Sequence, residues 1–284
     1  MSRSPALWLT GGESRYLQAT LALAPILIPT AYIAYTLHKC TRRTTASTSI
    51  SPPDSLFNEK TGAFLRLTRA SEKESDLVSK HDTSAIPRNI LAKKDQYIIS
   101  CERVVSEPVS ISSLPPKLQP SKEQHGEDAT RNRRLLEAYL SINMRTFTWT
   151  PQAYIMRSMV SQLAAGAKHA ATFSESYLKS CRFEQQDRVC GVYVVRERVG
   201  AGRVLLDLSP PQGWKGPVVT GVLDCGIVVE EDQKCVRFVN ETVMWRRKDE
   251  APTLLEGSIG RWIHGMMVRW MVVRGVEAVK RGLD

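Results

Sequence analysis

The sequence predicts an α+β fold. An antiparallel sheet of about four to six strands packs on a long C-terminal helix, with two or three helices before the sheet and a transmembrane helix at the N-terminus. Three patterns carry this expectation. Apolar residues at helical spacing occupy 135–165, the period shortens to two between 189 and 246, and helical spacing returns from 253 to the end. The domains expected are a tail over 1–15, an anchor over 16–37, a flexible spacer over 38–94 and one α+β domain over 95–284.

Tyr16 to Leu37 are 22 residues without a formal charge. As a helix this run would measure about 33 Å, close to the hydrocarbon thickness of a bilayer. Tyr16 stands at one end and Tyr32 and Tyr35 near the other, where amphipathic rings favour the membrane interface. Pro25 and Pro29 each remove a backbone donor, which membrane helices tolerate better than soluble ones. Cleavage after Ala22-Leu23-Ala24 would leave apolar sequence on the mature chain, which argues against a signal peptide. Residues 1–15 carry only Arg3 and Arg15 beside Glu13, too few arginines for a mitochondrial presequence. Lys39, Arg42 and Arg43 follow the segment, so the positive-inside tendency places the C-terminal domain in the cytosol.

From Thr41 to about Lys94 the chain is rich in Ser, Thr and mixed charge, with Pro52-Pro53 and little periodicity, which reads as a spacer. A first strand is expected from Gln96 to Val104, then a loop from Ser113 to Thr130. Leu136, Tyr139, Leu140, Met144 and Phe147 share one helical face. Thr150-Pro151 reads as an N-cap followed by Pro at the first helical position, opening a helix to about Ala165. A short third helix is expected near Thr172, where Thr172-x-x-Glu175 has capping-box form.

Strand periodicity follows over Val189–Val199, Arg203–Leu208, Val218–Val229 and Cys235–Arg246, with the turn candidate Gly200-Ala201-Gly202 between the first two. Short connections imply antiparallel neighbours. Thr253-Leu254-Leu255-Glu256 is a capping box and Gly282 a C-terminal stop. The helix between them would be about 28 residues, or roughly 42 Å. Ile259, Trp262, Ile263, Met266, Trp270 and Val273 line its broad apolar face. Gly260, Gly265 and Gly275 suggest close approach of a neighbour, expected to be the sheet.

Composition excludes several classes. At 42% apolar and 24% charged the chain is not globally disordered, and six Cys in 284 residues do not make a disulfide scaffold. The net charge of +10 divides into +2 over 1–40, +4 over 41–135 and +4 over 136–284. A nucleic-acid binder concentrates its charge where adjacent phosphates are met, so no nucleic-acid partner is expected. No two His share i,i+4 spacing and no Cys pair has CxxC spacing, so no metal is expected. No phosphate loop, dinucleotide fingerprint or nucleophile elbow occurs, and no cofactor is expected.

The acid–base candidates are Asp207, Asp224, Glu241 and His264. Asp224 stands among Val222, Leu223 and Ile227; facing the core it would act as an acid or base, facing solvent it would be an ordinary surface carboxylate. His264 has the same two readings, catalytic or a packing His. The residues expected to line an apolar ligand site are Tyr193, Trp214, Trp245, Trp262 and Met266.

The order of helices, meander and long terminal helix over roughly 95–284 resembles the helix-grip architecture of the START-like ligand-binding superfamily. That resemblance implies a hydrophobic ligand, or polyketide cyclase activity, between sheet and terminal helix. Asp187-Arg188-Val189-Cys190-Gly191-Val192-Tyr193-Val194 and Val239-Asn240-Glu241-Thr242-Val243-Met244-Trp245 resemble stretches of uncharacterised fungal single-pass membrane proteins, some encoded beside secondary-metabolite genes. Three functions are therefore expected in turn. The first is a membrane-anchored protein binding a hydrophobic small molecule, with an accessory role in secondary-metabolite biosynthesis. The second is an enzyme on the same scaffold, cyclase-like or a hot-dog thioesterase. The third is a membrane-associated adaptor whose basic helix (Arg261, Arg269, Arg274, Lys280, Arg281) lies on an anionic surface.

Overall fold

The structure, a computed structural model, describes residues 11–51, 85–119, 127–230, 232, 234–253 and 255–282, with the backbone alone for 11–26, 51, 127 and 128. The tail 1–10 and most of the expected spacer, 52–84, lie outside that set. The chain divides into two compact units, residues 1–39 and 40–284.

The first unit is helical. Helix α1 spans Gly11–Arg43, 33 residues that pass Pro25 and Pro29 without interruption, and its last residues belong to the second unit. Leu27, Ile28, Tyr32, Ile33 and Tyr35 are exposed on it. Among the described residues, no helix is long and apolar enough to cross a membrane. A helix thus occupies the segment expected as an anchor, but the transmembrane span expected there is not supported.

In the second unit the expected spacer is partly ordered. Strand β1, Thr44–Ser51, follows α1 directly and pairs antiparallel with β2, Tyr97–Ser106. Its Thr/Ser-rich sequence buries little by itself, yet Thr is β-branched and suits an edge strand. A distant side chain fixes its start: Arg269 Nη1 donates to the Thr44 carbonyl at 2.8 Å and to its hydroxyl at 2.9 Å. Near the end of the expected spacer, the one-turn helix α2, Arg88–Leu91, buries Ile90.

The sheet has eight strands in the order β1-β2-β8-β7-β6-β5-β4, with the two-residue β3, Val109–Ser110, on the end of β8. The remaining strands are β4, Arg188–Val189; β5, Tyr193–Val199; β6, Arg203–Leu208; β7, Thr220–Glu230; and β8, Cys235–Arg247. All pairings are antiparallel, and β2 lies against the last strand although four helices intervene in sequence. The count exceeds the expected four to six because β1 lacks apolar alternation and β3 and β4 are too short to show a period.

Those helices are α3, Glu127–Phe147; α4, Pro151–Ser161; α5, Gly166–Ala171; and α6, Glu175–Ser180. The Thr150 hydroxyl accepts from Ala153 N at 3.2 Å, the expected cap before Pro151. The helix expected to open at Thr172 begins later, because Ser174 caps α6 and Thr172 Oγ1 accepts from Gly191 N at 2.7 Å instead. Terminal helix α7 spans Ser258–Arg281, 24 residues rather than about 28. Glu256 Oε1 accepts from Thr253 N at 2.8 Å, as in a capping box, but the helix starts after it with Gly257 as N-cap. Gly282 closes α7 at φ 68°, the left-handed conformation that glycine reaches without a Cβ penalty.

Helices α3 and α7 pack on one another over one face of the sheet. Even-numbered residues of β2 and β8 and odd-numbered residues of β7 point to this layer, among them Val104, Phe238 and Cys225, all buried. At its centre the Tyr139 and Phe238 rings lie 4.6 Å apart, and the Tyr139 hydroxyl donates to Asn240 Oδ1 at 2.9 Å. The other face holds Ile99, Leu205, Val222, Val243 and Trp245 under Ala85, Ile86 and Ile90.

The face of α7 expected to meet the sheet does so only in part: Val273 is buried, and Met266 and Trp270 are partly buried. Ile259, Trp262 and Ile263 are exposed at 77%, 50% and 53%. The buried stripe is Gly260, His264, Val268, Val272, Gly275 and Val279. Bulk decides this: Tyr139 lies so close to α7 that a Cβ on Gly275 would stand 2.8 Å from its ring, leaving no room for Trp or Ile on that side.

Candidate functional site

Two buried polar groups occupy the sheet, one on each face. Under the first half of α7, period-two alternation points Glu102 of β2 inward with Ile98 and Val104. His264, from the glycine-bearing stripe of α7, meets it with Nδ1 3.2 Å from Glu102 Oε2; both residues are buried. Gly265 keeps this approach open, since a Cβ there would lie 3.3 Å from Glu102 Oε1. Thr48 and Thr242 stand across from Glu102 on the two neighbouring strands. Arg269, one turn further along α7, is buried where it bonds Thr44. Burial lowers the pKa of its guanidinium, and the Glu102 carboxylate acts in the opposite sense.

A carboxylate bonded to one imidazole nitrogen fixes the ring and leaves the other nitrogen available for proton transfer. Substrate access beside the pair is another matter. Further along α7 the space expected to hold a ligand is filled by Tyr139, Phe238, Met271, Val272 and Val276, all buried.

The second group lies on the opposite face. Arg103, Glu241 and Asp224 stand side by side on β2, β8 and β7. Arg103 Nη1 donates to Glu241 Oε2 at 2.7 Å. Arg203 Nε donates to Asp224 at 2.8 and 3.0 Å, and its Nη2 donates to Oδ2 at 2.5 Å. Two neighbouring carboxylates are thus each held by an arginine. Burial, with Glu241 nearby, pushes the adjacent Cys101 thiol up to about 11.

Asp224 therefore faces away from α7 and is engaged by a guanidinium fork. Asp207 pairs with Arg196 at the same face, and His264, on α7 itself, is the one of the four acid–base candidates between α7 and the sheet. The five residues expected to line a ligand site do not converge. Tyr193 meets Phe147 edge-on at 5.9 Å in the helical layer, whereas Trp245 is buried on the opposite face. Trp214 Nε1 donates to the Pro217 carbonyl in a loop, Trp262 is half exposed and Met266 is partly buried. Aromatic content alone does not say which side of a sheet a residue faces; strand register does. Glu102 was legible by that register, since Ile98, Ser100, Glu102 and Val104 share one face. Its partner was not, because 162 residues separate Glu102 from His264. Comparisons with protein-family models, with curated proteins and with solved structures return no match for this chain.

Proposed function

We propose that the protein is a membrane-associated module with a solidly packed α+β domain of helix-grip type, acting at a membrane surface rather than carrying a ligand inside. The observation that carries this reading is the set of apolar side chains α1 leaves in solvent: Leu27, Ile28 and Ile33 are 54%, 68% and 56% exposed. Exposed apolar side chains of this size on one helix mark a surface that another phase or molecule covers. Tyr32 and Tyr35 beside them, and Lys39, Arg42 and Arg43 beyond, have the order of a membrane–water boundary. The helix-grip assignment draws support from the sheet order, in which the strand before the helices pairs with the last strand and the terminal helix packs over both. The fungal resemblance adds an accessory role in secondary-metabolite biosynthesis to the same proposal.

The experiment is flotation of the full chain with liposomes containing an anionic lipid, followed by alkaline carbonate extraction of the floated fraction. The full chain is expected to float and to be released by carbonate, whereas a triple Leu27→Asp, Ile28→Asp, Ile33→Asp variant stays in the dense fraction. Wild-type protein that remains at the bottom of the gradient overturns the reading. Flotation that resists carbonate replaces surface attachment by a spanning anchor.

A further inference from the structure

A groove of about 620 Å³ opens to solvent between α3 and α7, on the side of these helices turned away from the sheet. Its volume falls in the range of small-molecule sites, roughly 300–1,000 Å³. Trp149, from the turn between α3 and α4, forms one wall and is 84% exposed; Trp270 of α7 lies in the same lining. Ile142 and Ala278 contribute further apolar surface. The Trp149 indole stands in solvent, and Trp270, packed in part against the core, adds the remainder of its surface to the same lining.

The charges of the lining are not balanced. Arg145 donates to Glu175 at 2.5 Å, and Glu277 accepts from Arg43 at 2.7 Å, so both acids are engaged. Arg274 and Arg281 line the groove, are exposed, and pair with no acid among the described residues. Four residues separate Trp270 from Arg274, one turn of α7, so aromatic face and guanidinium lie on the same stripe. Arg281 stands about 10 Å further along, at 1.5 Å per residue.

From this juxtaposition we infer that the groove between α3 and α7 binds an amphipathic carboxylate with a flat apolar body, the ring system against Trp149 and Trp270 and the carboxylate on Arg274. Arginine suits the anion because its fork donates two parallel hydrogen bonds to a carboxylate. The site lies wholly within residues 142–281 and does not depend on membrane attachment, so either proposal can fail without the other.

The test uses the full chain, with the same non-ionic maltoside detergent in every titration, and follows binding of 2-naphthoate by calorimetry. Its neutral counterpart 2-naphthylmethanol is titrated in parallel. Naphthoate is expected to bind at least tenfold more tightly than the alcohol, and Arg274→Gln to weaken it about tenfold. Trp149→Ala is expected to cost about fivefold, and Lys280→Gln, on the same helix but outside the groove, to leave binding unchanged. Equal affinity for acid and alcohol, equal loss in Lys280→Gln and Arg274→Gln, or no binding of naphthoate overturns the inference. Binding that anionic vesicles abolish, with Arg274→Gln unchanged, reassigns the groove to a lipid surface and overturns it as well.

Discussion

Glu102 sits in an apolar strand, with its Oε2 held by His264 of α7 and its Oε1 buried without a hydrogen-bond partner among the described residues. Arg269, bonded to Thr44, acts on it only through its charge. Removing one partner of a buried pair leaves the other stranded in low dielectric, which costs more than the pair contributes while intact. His264→Ala is therefore expected to destabilise the domain by about 3 kcal/mol in urea unfolding. Glu102→Gln keeps the shape without the charge and is expected to cost about 1 kcal/mol. Equal and negligible losses in the two variants would show that the pair contributes nothing to the fold. At this scale the sequence was informative about one side of each contact. Alternation along β2 turns Glu102 inward, and the apolar neighbours of Asp224 mark it as unusual. The Arg203 that engages Asp224 becomes its neighbour only through the β6–β7 register.

Among the elements, strand β6 was legible to the residue, because Val204, Leu206 and Leu208 alternate with Arg203, Leu205 and Asp207 between clear turns. Helix α7 was legible as a helix but only in part as to its face, since Val273 is buried while Ile259, Trp262 and Ile263 are exposed. Its two long stripes are both apolar, and the choice between them rests on how near Tyr139 and Glu102 come to the helix axis. Gly275 tests that account. Alanine is the better helix former by about 1 kcal/mol, so an unhindered Gly275→Ala would stabilise the protein. The Tyr139 ring, 2.8 Å from the new Cβ, is itself fully buried and bonded to Asn240, so it has no easy retreat. A net loss of about 1–2 kcal/mol is expected from overpacking, read as a lower urea midpoint. A higher midpoint would mean that Tyr139 does not set the face of α7.

For the whole molecule, the six cysteines are free thiols, and five of them are buried. Burial pushes Cys181, the half-buried one, up to about 11. At pH 8 its thiolate fraction is then about one in a thousand, roughly two-hundredfold below that of an ordinary cysteine thiol. Iodoacetamide at pH 8 is accordingly expected to leave the folded chain unlabelled for hours and to label all six positions across the urea transition. Rapid labelling of Cys181 in buffer would show that α6 and the adjoining loop open without global unfolding.

Local pattern by itself determined the α+β class, the antiparallel meander, the cap at Thr150, the left-handed stop at Gly282 and the long terminal helix, because each depends on side-chain period or on the conformational range of one residue. Tertiary structure alone decided that β1 joins the sheet edge, that β2 lies beside β8, that the space under α7 is filled by Tyr139 and Phe238, and that Glu102 meets His264. These contacts join residues far apart in the chain, and their free energy comes from excluded volume and buried charge, neither of which leaves a period in the sequence.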